Sequence, residues 1–336
     1  MMCLRTGVRA LQIAAVSMAT VIPGLALADA VKIPLATWGG ANHVGVRHFP
    51  GAFEAALERN APGRFVLEHF PGGQIAQDRD MPLAIPTGQV KMGWITVNGW
   101  TGTVSDTRVM DAPTGLTIEG LAKLTDQPGG IMEILQEGFR ERNAVLVGLA
   151  DLGPPAIVSQ KPIKTPEDFR GLRVRVFSEG QAAAVTAFGG TPVTVPFADV
   201  YSAVQYGTVD AAILGFQGID SQRMYEVSKY ALVPASFMGT TMMGWAVNLP
   251  WFEELSEGDR AAFLKSADEA ARENRAEIIQ EIDTLSAQYR ELGMELTMLA
   301  PDTAEYAAWQ EATRPLLDTS LQQLTPELAA VIQQEQ

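Results

Sequence analysis

The sequence predicts an α/β fold of two similar lobes, and three observations support this. Strand-like and helix-like segments alternate in the order β-α-β-α-β twice, in residues 32–95 and 172–214. Because crossovers between neighbouring strands are right-handed, this order produces parallel sheets. A short pattern, A-[IV]-x-x-G-x-V-x-x-[small], recurs at the same point of both units, in residues 84–93 and 203–212. The 336 residues are also more than one hydrophobic core usually supports.

The first 28 residues predict an export signal. Arg5 and Arg9 come before the apolar run ALQIAAVSMATVIPGLALA, which ends in the small-x-small cleavage pattern of residues 26–28. A membrane anchor is the alternative, but a proline–glycine pair interrupts the run. The only cysteine, Cys3, precedes the run, whereas a lipid-modified cysteine would follow it. The exported chain is therefore expected to have no disulfide and no cysteine nucleophile or metal ligand.

The first unit is predicted from alternating β-branched and aromatic residues in its strands and from helical segments between them. In chain order these are strand KIPLAT, a helical region through AFEAALERN, strand RFVLEHF, helix AQDRDMPLAIP and strand QVKMGWI.

The second unit begins with a short helix whose start is well marked. Thr165 is a candidate N-cap, Pro166 takes the first helical position and Asp168 completes a capping box. Gly171 ends this helix, and Ser178 caps the next one. The elements that follow are strand LRVRVF, helix EGQAAAVTAF, strand TPVTVPF, helix ADVYSAVQY and strand VDAAIL.

Beyond residue 235 the pattern changes. FMGTTMMGWAVNL is predicted as a strand that returns to the first lobe, and a helix of about 35 residues follows up to Gly293. At 1.5 Å per residue it reaches roughly 50 Å, longer than one lobe. A coiled coil is the alternative, but its apolar residues keep no heptad register. A strand MELTMLA and a C-terminal helix complete the chain.

These elements predict the division of the chain. Lobe I comprises residues 29–150 plus about 240–279, and lobe II comprises residues 151–239 plus about 280–336.

The predicted binding site lies where the strands of the two lobes end, because ligands collect outside the carboxyl ends of parallel strands. The residues at these ends are Trp38, Trp94, Thr96 and Asn98 in the first lobe and Arg175, Phe197, Leu214, Phe216 and Gln217 in the second.

Two arginines in the strand LRVRVF need an explanation. Arg173 lies near the entry of the strand and Arg175 near its exit, on the side of the cleft. The planar guanidinium of Arg175 fits a carboxylate through two parallel hydrogen bonds. The alternative is that both are surface residues paired with acidic side chains, since the chain has a net charge of −14. That charge also argues against nucleic acid or an anionic membrane as a partner.

The sequence contains no motif that indicates an enzyme active site or a metal site. The histidines at 43, 48 and 69 lack zinc-site spacing, and no nucleophile elbow, phosphate loop or dinucleotide fingerprint occurs. We expect no metal and no cofactor, and the absence of a paired acid and base disfavours an enzyme.

Residues 161–230 resemble a known family. KPIKTPEDFRGLRVRV and AFGGTPVTVPFADVYSAVQYGTVDAAIL are similar to the central block of the substrate-binding proteins of tripartite ATP-independent periplasmic (TRAP) transporters, the DctP-type family. EHFPGGQIAQDRDMPLAIPTGQVKMG is similar to a second segment of that family.

The resemblance implies a two-lobed periplasmic binding protein, type II-like, with a cleft between the lobes and a long helix spanning both. It implies a monomeric periplasmic receptor that captures a small organic anion and delivers it to the TRAP membrane permease subunits. Arg175 would take the ligand carboxylate and Phe197 would pack over the ligand. Binding proteins of this fold that serve a sensor or another transporter are the alternative.

One departure from the family bears on the ligand. Where the family usually has DGqEn, this chain has DAAIL in residues 210–214, so Leu214 replaces a commonly carboxylate-binding asparagine. We therefore expect a monocarboxylate or a sulfonate with an apolar body.

Overall fold

The structure is a computed structural model that describes residues 30–40, 43–151, 153–240 and 242–334. The predicted signal segment, residues 1–28, lies outside the described residues. The strands are β1 (Val31–Ala36), β2 (Phe65–Phe70), β3 (Met92–Thr96), β4 (Ala144–Asp151), β5 (Pro155–Ser159), β6 (Arg173–Val176), β7 (Thr191–Thr194), β8 (Ala211–Gly215), β9 (Tyr230–Val233), β10 (Met242–Asn248) and β11 (Glu295–Met298). The α-helices are α1 (Val44–Arg47), α2 (Phe49–Asn60), α3 (Met81–Ala84), α4 (Ile118–Asp126), α5 (Ile131–Arg140), α6 (Glu179–Ala187), α7 (Val200–Gln205), α8 (Gly218–Ser221), α9 (Leu249–Glu254), α10 (Glu257–Glu291), α11 (Ala304–Leu321) and α12 (Pro326–Gln333).

Short 3-10 helices join several of these elements. They are Asp78–Asp80, Val97–Trp100, Ser105–Asp111, Pro166–Phe169, Phe197–Asp199 and Met224–Glu226. The capping box predicted at Thr165 and Asp168 is present at the start of the helix at Pro166. The segment predicted as one helix from 76 to 86 is instead a 3-10 turn followed by α3.

The first lobe is built on a five-stranded sheet in the order β2-β1-β3-β10-β4. β1 pairs in parallel with β2 and β3, as the β-α-β-α-β pattern predicts. β10 inserts between β3 and β4 and runs antiparallel to both, which confirms that this late strand returns to the first lobe.

The second lobe is built on a six-stranded sheet in the order β11-β9-β5-β8-β6-β7. β6 pairs in parallel with β7 and β8, whereas β5 runs antiparallel to β8 and β9. Alternate residues of each strand enter separate apolar layers on the two faces of the sheet. Val174 and Val176 pack with α6 on one face, whereas Leu214 packs with α7 and α8 on the other.

The long helix α10 connects the two lobes, as its length predicts. Phe263 and Ala267 near its start lie in the core beside the first sheet, and Tyr289 near its end lies in the core beside the second sheet. Together with the connections β4–β5 and β9–β10 and with α11, which returns the chain to the first lobe, it gives four passages of the chain between the lobes. No helix among the described residues combines the length and apolar character needed to cross a membrane.

The last helix differs from the expected division of the chain. Leu328 and Ile332 of α12 are fully buried in the apolar core of the first sheet, with Leu324 just before them. α11 carries the chain from the second lobe to the first, since Trp309 packs against the second sheet and Leu321 against the first. Apart from this final segment, the lobe boundaries stay a prediction.

Candidate functional site

A cavity of about 240 Å³ lies between the lobes at the carboxyl ends of β1, β3, β6 and β8. It opens beside a wider cleft of about 800 Å³, and Asp78, Thr96 and Phe177 line both spaces. The smaller cavity is lined mostly by apolar and aromatic side chains. Its lining residues are Trp38, His43, Asp78, Thr96, Arg175, Phe177, Phe197, Leu214, Gly215, Gly218 and Met243.

Arg175 is the cation of this cavity. Only 3% of the residue is exposed, and the guanidinium donates to the carbonyl oxygens of Val195 (3.0 Å) and Ile213 (2.7 Å). Its carbon lies 5.3 Å from the ring centroid of Phe177. Burial lowers the pKa of Arg175 to about 10, so it remains charged at neutral pH. Among the described residues no carboxylate forms an ion pair with it, so its charge lacks a protein counterion.

Arg173, two residues earlier, lies at the surface and pairs with an acidic side chain. Its exposed guanidinium binds both carboxylate oxygens of Asp210, at 2.9 and 3.0 Å, and the carbonyl oxygen of Gly207. The ion pair raises the pKa of Arg173 and lowers that of Asp210. The alternative considered for both arginines, an ion-paired surface residue, therefore holds for Arg173.

Aromatic rings form one wall of the cavity. Trp38 stacks on Trp94 with ring centroids 4.5 Å apart, and His43 meets both indoles edge-on at 5.3 and 5.1 Å. The ring of His43 also lies 5.7 Å from Phe197, which belongs to the other lobe. A Cβ atom on Gly39 would lie 2.9 Å from Trp94 and 3.0 Å from His43, so only glycine fits behind this wall.

Two titratable side chains of the first lobe also line the cavity. Burial, and then the charge of Arg47, lower the pKa of His43 to about 4, so its ring is neutral at physiological pH. Its Nδ1 accepts a hydrogen bond from the backbone N–H of Gly45, which caps α1. Asp78 accepts from the backbone N–H of Thr96 at 3.0 Å, and burial raises the pKa of this carboxyl group.

The structure brings most of the predicted site residues together. Arg175, Phe197, Leu214, Trp38 and Thr96 all line the small cavity. These residues come from five separate segments of the chain, and each follows or ends a predicted strand.

The remaining predicted residues lie elsewhere. Asn98 lines only the wider cleft, and Trp94 is fully buried behind Trp38. Phe216 packs against Tyr289, because the chain turns towards α8 after β8 ends and strand alternation no longer applies. Gln217 points towards α10, where its amide lies 3.4 Å from the carbonyl oxygen of Ile278. None of these four is among the described residues that line the small cavity.

Four lining side chains were not predicted: His43, Asp78, Phe177 and Met243. Phe177 shares a strand face with Arg175 by alternation, which was a usable signal. Met243 reaches the site because antiparallel β10 begins opposite Thr96, and a register between distant strands is not visible in one sequence. Asp78 and His43 follow strands by several residues, so periodicity does not place them.

A buried carboxylate joins the lobes beside this site. Asp111, at the end of a first-lobe 3-10 helix, accepts a hydrogen bond from Asn98 at 2.9 Å. It also accepts from the Ser178 hydroxyl and the Gly180 backbone N–H at the start of α6 in the second lobe. Burial raises the pKa of Asp111, and these hydrogen bonds oppose that shift. Because Asp111 and α6 belong to different lobes, the hydrogen bonds between them form only when the two lobes are in contact.

Replacing Asp111 with alanine is expected to weaken ligand affinity about 5- to 30-fold without removing the ligand contacts themselves. The lost hydrogen bonds are worth about 1–2 kcal/mol and are made only in the closed arrangement. Isothermal titration calorimetry measures the change. Asp106→Ala is the matched control, because Asp106 lies in the same 3-10 helix but bonds Thr325. Equal affinity losses in both variants would contradict the interlobe role.

Among the described residues, no group of three or more histidine, cysteine or acidic side chains is placed to hold a metal ion. The chemistry of the cavity is therefore that of one guanidinium, one carboxyl group and aromatic surfaces.

Comparison with known proteins agrees with this architecture. The family model for "bacterial extracellular solute-binding protein, family 7" matches residues 37–324. The C4-dicarboxylate-binding periplasmic protein DctP of Rhodobacter capsulatus is 27% identical over 293 residues, which cover 83% of this chain and 84% of that protein.

Solved structures show the same fold. A TRAP periplasmic solute-binding protein from Ochrobactrum anthropi, with its C-terminus bound in the ligand-binding pocket, superposes with a TM-score of 0.82 at 22% identity, covering 91% of this chain and 94% of that one. A solute receptor from Bordetella pertussis that binds pyroglutamic acid gives 0.79 at 15% identity, covering 91% and 99%.

Proposed function

Because this chain belongs to family 7 of the bacterial extracellular solute-binding proteins, the receptors of TRAP transporters, we propose that it captures a small monocarboxylate or sulfonate with an apolar body. The family consists of solute-binding receptors and not of enzymes. Two of the relatives are periplasmic proteins that bind organic acids, a C4-dicarboxylate in one and 2,3-diketo-L-gulonate in the other. For this chain we propose export by residues 1–28 and delivery, as a monomer, to membrane permease subunits.

One observation carries the choice of an anion: the buried guanidinium of Arg175 faces the cavity, and none of the described carboxylates forms an ion pair with it. Its two backbone acceptors hold it in one orientation, so it is prepared for an incoming carboxylate. A charge-assisted, bidentate hydrogen bond of this kind is both strong and directional. An anion bound here also gives the buried charge of Arg175 a direct partner.

The lining supports a ligand with one anionic group. Arg175 is the only Lys or Arg among the described lining residues of the small cavity, so a second carboxylate of a dicarboxylate would have no cation there. Leu214 and Met243 offer apolar contacts, and Trp38 and Phe197 offer aromatic faces. The cavity of about 240 Å³ exceeds the roughly 150 Å³ that holds a benzene ring.

Thermal-shift screening tests this function directly. The mature protein is heated with monocarboxylates, dicarboxylates and sulfonates of matched carbon skeleton. A ligand present at 100 times its Kd stabilises the folded state by about 2.7 kcal/mol, which raises Tm by roughly 5 °C. We expect the largest rise with an apolar monocarboxylate or sulfonate. Larger rises with dicarboxylates, or no rise with any acid, would contradict the proposal.

A further inference from the structure

A carboxyl group sits in the cavity that is expected to bind an anion. Asp78 begins the 3-10 helix Asp78–Asp80 of the first lobe and lines both the small cavity and the wider cleft. Its Oδ1 accepts from the backbone N–H of Thr96, and the Thr96 hydroxyl also bonds this carboxyl group. Among the described residues no Lys, Arg or His forms an ion pair with Asp78. Binding of an anion by Arg175 does not explain why an acidic side chain lines the same cavity.

Asp78 is an acidic side chain of the first lobe, and Arg175 is a basic side chain of the second. Both line the small cavity, yet the structure shows no ion pair between them, so their charged atoms are more than 4.0 Å apart. Each is held by its own lobe: Arg175 by the carbonyl oxygens of Val195 and Ile213, and Asp78 by Thr96. Because both groups line one cavity of about 240 Å³, a molecule bound there can contact both.

A simple anion suits this pair of charges poorly. If its carboxylate binds Arg175, Asp78 either ionises as a second negative charge in the same cavity or stays protonated, the form that its burial favours by raising its pKa. Repulsion between like charges is weakly screened where water is excluded. A ligand that also carries a positive charge removes the repulsion and leaves the occupied cavity neutral.

The aromatic walls support a cation as well. Trp38, Phe177 and Phe197 line the cavity, and the faces of such rings attract positively charged nitrogen. His43 lies among them in its neutral form, so it adds no repulsion. A carboxyl group together with aromatic faces is a suitable environment for a protonated or quaternary amine.

We propose that the ligand is a zwitterion whose carboxylate binds Arg175 and whose cationic nitrogen binds Asp78 between the aromatic walls. This inference rests on the proposed function, and it narrows the ligand class to amino acids, betaines and related compounds with an apolar body. Because the two charged ends contact different lobes, such a ligand also favours the closed arrangement.

The test uses pairs of compounds that differ in the cationic nitrogen. One pair is L-phenylalanine and 3-phenylpropanoate, and the other is glycine betaine and 3,3-dimethylbutanoate, in which carbon replaces the charged nitrogen. Affinities are measured by calorimetry for the wild type, for Asp78→Asn and for Asp80→Asn. Asp80 lies in the same 3-10 helix, is exposed and pairs with Arg79, so it is the matched control. Asparagine at 78 keeps an acceptor for Thr96, and circular dichroism checks the fold.

In the wild type, the zwitterion of at least one pair is expected to bind at least ten times more tightly than the analogue that lacks the charged nitrogen. Asp78→Asn should reduce that advantage to threefold or less, and Asp80→Asn should leave it unchanged. Equal binding of both members in the wild type, or an advantage that survives Asp78→Asn, would overturn the zwitterion. If simple monocarboxylates still bind in an Arg175-dependent way, the proposed function stands. Binding of none of these compounds, nor of the acids in the thermal-shift screen, would overturn both.

Discussion

Replacing Arg175 with methionine is expected to reduce ligand affinity at least 30-fold, and up to several thousand-fold. Removing one partner of a buried, hydrogen-bonded charge pair costs about 2–5 kcal/mol, and each 1.4 kcal/mol is a factor of ten. Methionine retains much of the arginine's apolar stem while removing the charge and its donors. Calorimetry with the best acid from the thermal-shift screen measures the loss.

The same substitution is expected to change the stability of the ligand-free protein only slightly. Keeping the guanidinium charged in its buried site costs about 3 kcal/mol, as the lowered pKa of about 10 indicates. Methionine removes this cost but leaves the carbonyl oxygens of Val195 and Ile213 without their donor, at roughly 1–2 kcal/mol each. The two effects nearly cancel, so Tm should stay within a few degrees of the wild type.

Arg173→Met is the matched control for this experiment. Arg173 lies on the same strand, but it is exposed and already paired with Asp210. Its replacement should leave the affinity within about twofold, because exposed ion pairs contribute little. Similar losses of affinity in the two variants would show that Arg175 does not bind the ligand anion.

Replacing Leu214 with asparagine is expected to reverse the preference between apolar and polar ligands. The two side chains are similar in size, but asparagine adds amide groups to a wall that is now apolar. A buried amide without a partner costs about 1–3 kcal/mol, so the affinity for apolar monocarboxylates should fall about tenfold. Hydroxy acids and dicarboxylates, which offer acceptors to the amide, should gain affinity.

Leu214→Met separates polarity from packing in this experiment. Methionine conserves the apolar character, and volume-conserving replacements usually cost less than 1.5 kcal/mol. The side chain packs against α8, since a Cβ atom on Gly218 would lie 2.9 Å from a Leu214 methyl group. An unchanged ligand preference in Leu214→Asn, or the same shift in Leu214→Met, would refute a role for apolar character at this position.

Local patterns accounted for most of the fold. Strand alternation predicted β1, β3, β6 and β8, and glycines marked the ends of several helices. The length of α10 correctly predicted contact with both lobes, because a rigid helix extends by a constant rise per residue. The capping box at Thr165 is likewise a property of four consecutive residues. Such features depend on near neighbours, so one sequence displays them.

The parts that were missed depend on residues far apart in the chain. α12 crosses back to the first lobe because its buried face fits the core beside α5, and an amphipathic helix does not specify which lobe covers it. Met243 lines the cavity through its register against Thr96. Phe216 does not line the cavity because β8 ends at Gly215, one residue before it.

The sequence by itself determined the α/β class, the two repeated units and the assignment of Arg175 to the cleft end of its strand, because alternation, caps and strand polarity are local. Only the tertiary structure decided which side chains face that guanidinium. Asp78, His43 and Met243 come from three separate segments and line the same cavity as Arg175 only when two sheets are joined across a cleft. The charge balance of the cavity, and hence the class of ligand we propose, depends on distances between lobes that no local pattern encodes.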